Sequence, residues 1–237
     1  MKTDMKPYPK IISIEDLDEN LQNSMFEILV EYYANTTWPR FQQDLSSKTA
    51  AICLFEPEAN ELVGFSTVQE FYHTVDGQEH VILFSGDTII RKEHWGSQAL
   101  VLGFGNYMVS MINRYPDHEI YWFLISKGIR TYRYLPAFFK EYYPNHKTST
   151  PEKFQRIIDS LAFKLFPDLY SKEDGVIKVK NGQYLKSEYF PHPHPNSEIE
   201  EFYFRMNPGH VKGDELVCLT ALRADNICDH IRRVLKI

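Results

Sequence analysis

The stretch VILFSGDTIIRKEHWGSQALVLGFGNYMVSMINRY, residues Val81–Tyr115, decides how this chain is read. Its first residues are apolar enough for a buried strand, a charged loop closes on Trp95-Gly96-Ser97, and the remainder carries apolar residues at helical spacing. A helix opening after such a loop presents backbone N–H groups that have no acceptor within the helix. Those groups and the helix dipole favour an anion, commonly a phosphate. The segment therefore points to a nucleotide-cofactor enzyme. Gly103 and Gly105 lie inside the helix and follow no strand, so they make no dinucleotide fingerprint. They predict close packing of the helix against a sheet.

Outward from this segment the hydrophobic period changes several times. Ala50–Phe55, Glu61–Phe71 and Glu79–Ile90 are rich in Val, Ile, Phe and Thr and are parted by the turn segments Pro57–Asn60 and Asp76-Gly77, which predicts a three-strand meander. Before it come a short strand at Lys10–Ile14, a helix over Ile14–Ala34 with Leu17, Leu21, Met25, Ile28, Leu29 and Tyr32 on one face, and a short helix at Phe41–Leu45. After the helix Gly96–Arg114 the pattern predicts a buried strand at Glu119–Ser126 and a helix over Thr131–Tyr143, with Pro136 kinking it or marking a late start. A helix at Pro151–Phe166, a polar hairpin at Gly175–Phe190, strands at Phe202–Met206 and Glu215–Leu222, and a closing helix at Ala224–Leu235 complete the chain. The fold class expected is α+β: a mixed, partly antiparallel sheet flanked by helices, with an insertion before the last two strands.

At 237 residues with 43% hydrophobic content, the chain suits one domain with a substantial core. A net charge of −6 argues against a broad nucleic-acid-binding face. The N-terminal MKTDMKPYPK has no apolar signal region and no run of about 18 apolar residues exists, so neither a signal peptide nor a membrane association is expected and a cytoplasmic protein is the default. Cys53, Cys218 and Cys228 are odd in number, and the first two sit in apolar runs; buried thiols are expected rather than a disulfide. His192 and His194 alternate with prolines and have no nearby cysteine, so no metal site is expected there.

In element order, and in Gly64–Arg114 above all, the chain resembles the GNAT acyltransferase superfamily. Leu62-Val63-Gly64-Phe65 is similar to the family's hairpin strand, and Asp87 through Ser97 to the stretch before its cofactor helix. The resemblance covers Ile11–Pro144 and Phe202–Leu222 and implies one domain over residues 1–237, with residues 150–200 as an insertion. It implies acetyl-CoA as acyl donor and transfer to a small-molecule or peptide amine. A module of the same fold that binds or assembles without turnover is the alternative. The family's pyrophosphate signature is incomplete here: Trp95 stands at its Arg/Gln position, Gln98 at its first Gly and Leu100 at its last small residue. The implied cofactor contacts are Ile89, Ile90 and Arg91 on the strand, then Trp95, Gly96, Ser97, Gln98 and Ala99 at the helix start. The basic residues Lys127 and Arg130 are candidates for the CoA phosphates or an acidic substrate, against a solvated helix start.

Acyl transfer to an amine needs a base for the amine proton, a donor to the oxyanion and an acid for the leaving thiolate. Asp87 is the candidate base, because a carboxylate in the strand run FSGDTII is out of place; the alternative is a bulge in which it bonds local backbone. Glu70 and His94 are further candidates. The family's acid position falls on Phe139, which leaves Tyr132 and Tyr134 on the same predicted helix as substitutes. The Tyr-rich helix and the insertion either cover the substrate groove or form a homodimer contact.

Overall fold

A computed structural model describes residues 6–179, 182–190 and 197–237. The His192–His194 loop lies outside the described residues. The chain runs β1 (Tyr8–Ser13), α1 (Glu19–Tyr32), β2 (Tyr33–Ala34), α2 (Trp38–Ser46), β3 (Ala50–Phe55), β4 (Leu62–Val75), β5 (Gln78–Ile90), α3 (Ala99–Arg114) and β6 (Ile120–Ser126). It continues through α4 (Ile129–Tyr132), α5 (Tyr134–Phe138), α6 (Glu152–Leu165), β7 (Tyr170–Ser171), β8 (Val176–Ile177), β9 (Tyr184–Leu185), α7 (Glu198–Met206), β10 (Glu215–Ala221) and α8 (Asp229–Leu235). The main sheet has the order β1-β3-β4-β5-β6-β10-β8-β7, antiparallel except for the parallel β5–β6 pair.

Every residue of β3 is buried, so the sheet is covered on both faces. Alternation along β3 sorts its side chains: Ile52 and Leu54 join a core with α3, α4, α5, α7 and α8, while Ala51 and Cys53 join one with α1 and α2. On that second face another core lies under α6, built on Phe84, Phe123 and Leu219. The two cores on this face are separate clusters with a space between them.

Several expectations change at their edges. The first helix starts at Glu19 because Asp18 caps it, its carboxylate accepting from the Leu21 N–H at 2.8 Å; Ile14–Asp16 is a single tight turn. The cofactor-type helix starts at Ala99, since Gly96 takes a left-handed φ of +87°. The predicted helix Thr131–Tyr143 is two short helices, and Pro136 falls in the first turn of α5, where its missing N–H has no acceptor to lose. Phe139–Tyr143 is irregular instead, with isolated bridges from Phe139 to Ile227 and from Tyr143 to Leu219, whose carbonyl accepts from the Tyr143 N–H at 2.8 Å.

Phe202–Met206 is not a strand. It ends α7, capped by Ser197, and Ile199, Phe202, Tyr203 and Met206 all join the core on the α3 face. The aromatic run FYF satisfied a strand pattern over a few residues, but the burial period is helical. The place beside β10 goes to β8 and β7 from within the supposed insertion. Among the described residues, the two arms of the polar hairpin expected at Gly175–Phe190 do not pair with each other: β8 lies between β10 and β7, and β9 pairs with β2. The closing helix is shorter than expected, Asp229–Leu235. Cys53 and Cys218 are buried free thiols and Cys228 is half-buried. Among the described residues no helix is long and apolar enough to cross a membrane.

Candidate functional site

The parallel pair β5–β6 is bonded from Val81↔Ile120 to Ser85↔Leu124 and no further. Beyond Ser85, β5 stays with β4, while β6 stays with β10 up to Leu216↔Ser126. The strands therefore diverge into a wedge. Its origin lies in β5, where Val68↔Ser85 is followed by Ser66↔Thr88, so three steps of β5 oppose two of β4. The extra residue makes a bulge at Gly86-Asp87, which bends the strand away from its neighbour. Gly86 permits this: a Cβ there would lie 2.5 Å from Thr67 Oγ1 and 2.9 Å from Lys48 Cε.

Two cavities meet at the wedge. On the α3 side a small one of about 20 Å³ is walled by Leu100, Phe104, Trp122, Tyr134 and Phe138. The hydroxyls of Ser66 and Thr88 bond each other at 2.8 Å along it, and Trp122 Nε1 donates to Ser85 Oγ at 3.0 Å. On the opposite face a cleft of about 360 Å³ fills the gap between the α1–α2 core and the α6 core, with Phe41 on one side and Phe166 on the other. Thr88 and Thr131 line both cavities, so the two lie back to back across the wedge.

Asp87 faces the larger cleft. Burial disfavours its charged form and pushes its carboxyl up to about 6, with Lys127 and Lys48 opposing and Asp44 and Glu215 assisting. Its carboxylate has no hydrogen bond among the described residues, so of the alternative reading the bulge is present but the local backbone bond is not. Around it, Lys127 Nζ reaches Glu215 Oε1 at 3.2 Å and Gln183 Oε1 at 3.0 Å. Burial works against the Lys127 cation, but Glu215 and Asp87 outweigh it and hold the ammonium above its ordinary range. Lys48, itself buried, bonds Asp44 Oδ1 at 2.7 Å. The Tyr33 phenol is pushed up to about 12 by burial, with the Asp87 and Glu215 carboxylates adding to the effect.

The two candidate tyrosines part company. Tyr132 lines neither cavity; it is fully buried, donates to the Pro144 carbonyl at 2.8 Å, and packs on Tyr203. Tyr134 faces the α3-side cavity against Phe138, and burial holds its phenol above the ordinary range. Phe139 is a core residue packed on Trp122. Glu70 lies outside both cavities, holding α3 through Tyr107, Tyr115 and Arg114.

The candidate cofactor residues fall into three groups. Gly96, Ser97, Gln98 and Ala99 sit at the start of α3, where Ser97 Oγ accepts from the Ala99 N–H at 3.2 Å and no side chain caps from Gln98. Leu100 is buried in the core and Gln98 is exposed. Ile89 packs into the α1–α2 core, and the Ile90 carbonyl accepts from Trp95 Nε1 at 2.8 Å. Arg91, Trp95 and Arg130 belong to a different cluster: Arg91 pairs with Glu31 at 3.0 Å, and the Arg130 guanidinium lies 3.8 Å from the centre of the Trp95 ring and donates to the Tyr189 carbonyl. Lys127 stands apart from these three groups, in the large cleft. Tyr33, Lys48, Thr131 and Glu215 were not singled out by sequence. A charged residue before a strand or after a turn reads as solvated unless the fold buries it, and only tertiary packing does so here.

The solved structures similar to this chain include acetyltransferases of the GNAT family. One is a GNAT family N-acetyltransferase from Escherichia coli in complex with CoA, 10% identical over 58% of this chain and 72% of that one, with a TM-score of 0.42. A probable N-acyltransferase from Enterococcus faecalis is 13% identical over 56% of this chain with a TM-score of 0.43, and this chain spans only 33% of its length. A histone acetyltransferase HPA2 and related acetyltransferase from Corynebacterium glutamicum is 15% identical over 62% of this chain and 93% of that one, with a TM-score of 0.38. No family model and no curated protein matches the sequence. The fold class rests on this chain's own strand order and its diverging parallel pair.

Proposed function

We propose that this chain is an acyl-CoA-dependent N-acyltransferase that moves an acetyl group to a small-molecule or peptide amine. The observation that carries the reading is the pair of cavities meeting at Thr88 and Thr131 across the wedge. Such an arrangement lets a donor and an acceptor approach one point from opposite faces of a sheet. Beyond Ser85 the edge of β5 that faces β6 has no strand partner, and that edge suits an amide-containing chain such as pantetheine. The start of α3 suits its phosphates. The cavity of about 20 Å³ is smaller than a pantetheine arm, so binding requires α5 to move outward.

Acetyl-CoA, when bound, supplies an acyl thioester. Asp87 takes a proton from the acceptor's ammonium in the large cleft, freeing the amine lone pair to attack the thioester carbonyl; a carboxyl held near 6 is ionised at neutral pH and still basic enough for the task. Tyr134, which lines the α3-side cavity, is the candidate to return a proton to the departing thiolate. The narrow α3-side cavity is also what favours the second reading, a module that binds its ligand without turnover. Calorimetry with acetyl-CoA followed by a free-thiol assay over an amine panel decides. The enzyme binds it at micromolar to millimolar concentration and releases thiol, with Asp87→Asn slowing release by about 10²–10⁴-fold. Binding without thiol release leaves the module, and no binding at millimolar acetyl-CoA overturns both readings.

A further inference from the structure

The large cleft is lined by three carboxylates, Asp44, Asp87 and Glu215, and three cations, Arg40, Lys48 and Lys127. Four of the six are spent on each other, as Lys48 with Asp44 at 2.7 Å and Lys127 with Glu215 at 3.2 Å. Asp87 and Arg40 are left without a salt bridge among the described residues, one at the floor beside the wedge and the other exposed in the first turn of α2. Asp87 is half-buried and desolvated, and although Lys127 and Lys48 act on it from nearby it has no direct ion pair, so a ligand cation beside it offsets part of its desolvation cost. The unpaired guanidinium of Arg40, exposed to solvent, is a two-pronged donor to a carboxylate or phosphate. Between them the walls carry the rings of Tyr33, Phe41 and Phe84, and a volume of about 360 Å³ lies at the small end of the ~300–1,000 Å³ range of metabolite sites.

We infer that the acceptor is a zwitterion, a primary amine that also carries an anionic group, with its ammonium at Asp87 and its anion at Arg40. This rests on the acyltransferase reading only for the word acceptor; the binding stands on the cleft alone. The leftover charges are of opposite sign and stand on different elements, Asp87 on β5 and Arg40 on α2, which disfavours both a polyamine and a plain acid. The anion also orients the molecule, so that the amine rather than the far end meets the wedge.

The test is direct binding to the full chain by calorimetry, with and without CoA. The probes are matched sets: α-amino acids, ω-amino acids and aminoalkyl phosphates, each beside the same amine lacking the anion. In at least one set the zwitterion binds 10-fold or more tightly than its bare amine. R40Q, an exposed change that leaves the melting temperature unaltered, brings the zwitterion down to the level of the bare amine, while D87N weakens both. Bare amines binding as tightly as zwitterions, no zwitterion binding at millimolar concentration, or a preference that survives R40Q overturns the inference. Zwitterion binding without thiol release overturns the acyltransferase reading alone, and thiol release with bare amines favoured overturns this inference alone.

Discussion

At the scale of single residues, Asp87 links stability to pH. Its folded-state carboxyl is held near 6 against an ordinary 3.8. Between about pH 4 and 6 the unfolded chain has lost this proton while the folded chain still holds it. Stability therefore falls as pH rises through that window and stays lower above it, by on the order of 1–3 kcal/mol for a group that opens partly to solvent. Asp87→Asn removes the slope. Thermal melts at pH 4 and pH 7 should show wild type losing stability relative to the variant; parallel melts would refute the assignment. The two tyrosines give a second contrast. Tyr132→Phe leaves the buried Pro144 carbonyl short of its donor and costs about 1–3 kcal/mol without touching either cavity. Tyr134→Phe leaves stability nearly intact and slows thiol release. Denaturant melts paired with the thiol assay separate them, and an activity loss confined to Tyr132→Phe would reverse the assignment.

At the scale of elements, the glycines of α3 predicted close packing, and the contacts are specific. A Cβ on Gly103 would lie 2.7 Å from both Pro9 Cβ on β1 and Ile52 Cγ2 on β3, whereas one on Gly105 would meet the tip of Leu235 on α8 at 2.6 Å. Alanine gains up to about 1 kcal/mol of helix propensity at either site. At Gly103 the sheet cannot yield and overpacking costs about 1–3 kcal/mol, for a net loss; at Gly105 a flexible side chain on the terminal helix gives way. Urea titrations should rank Gly103→Ala below wild type and Gly105→Ala close to it, and the reverse order would contradict the packing. Helix and strand periods in the core elements were legible because β3–β6 and α3 bury long runs that leave no alternative. The edges were not. Phe202–Met206 looked like a strand over too few residues for a period to show, and β7, β8 and β9, of two residues each, are held by partners the sequence cannot name. The candidate site was legible to the same degree. Asp87 stood out as a charge within an apolar strand; Lys48 and Glu215 lie where charges are ordinary, and only the fold buries Lys48 at 8% exposure.

At the scale of the whole molecule, the segment 182–190 reaches the cleft from a distance in sequence, through Gln183. β9 pairs with β2, and Lys186 Nζ donates to the Val30 and Glu31 carbonyls at 2.9 and 3.0 Å, where a cation complements the C-terminus of α1. Gln183 then reaches Lys127. Lys186→Met should cost about 0.5–2 kcal/mol, and amide exchange should speed up together in the last turn of α1 and in residues 184–186. Exchange that changes in one segment alone would show that the two are not coupled.

The aperture between the cavities has lips from two different elements, Thr88 on β5 and Thr131 on α4. No backbone ladder joins them, so its width is a matter of how α4 is seated. That seat is α7: Arg133, just past α4, pairs with Glu200, Tyr132 packs on Tyr203, and the Tyr203 hydroxyl donates to the Ser126 carbonyl at 3.0 Å. A change of side-chain volume at Tyr203, which lines neither cavity, would thus be felt as a wider or narrower passage, and the helix that replaced an expected strand acts as the set-screw of the site.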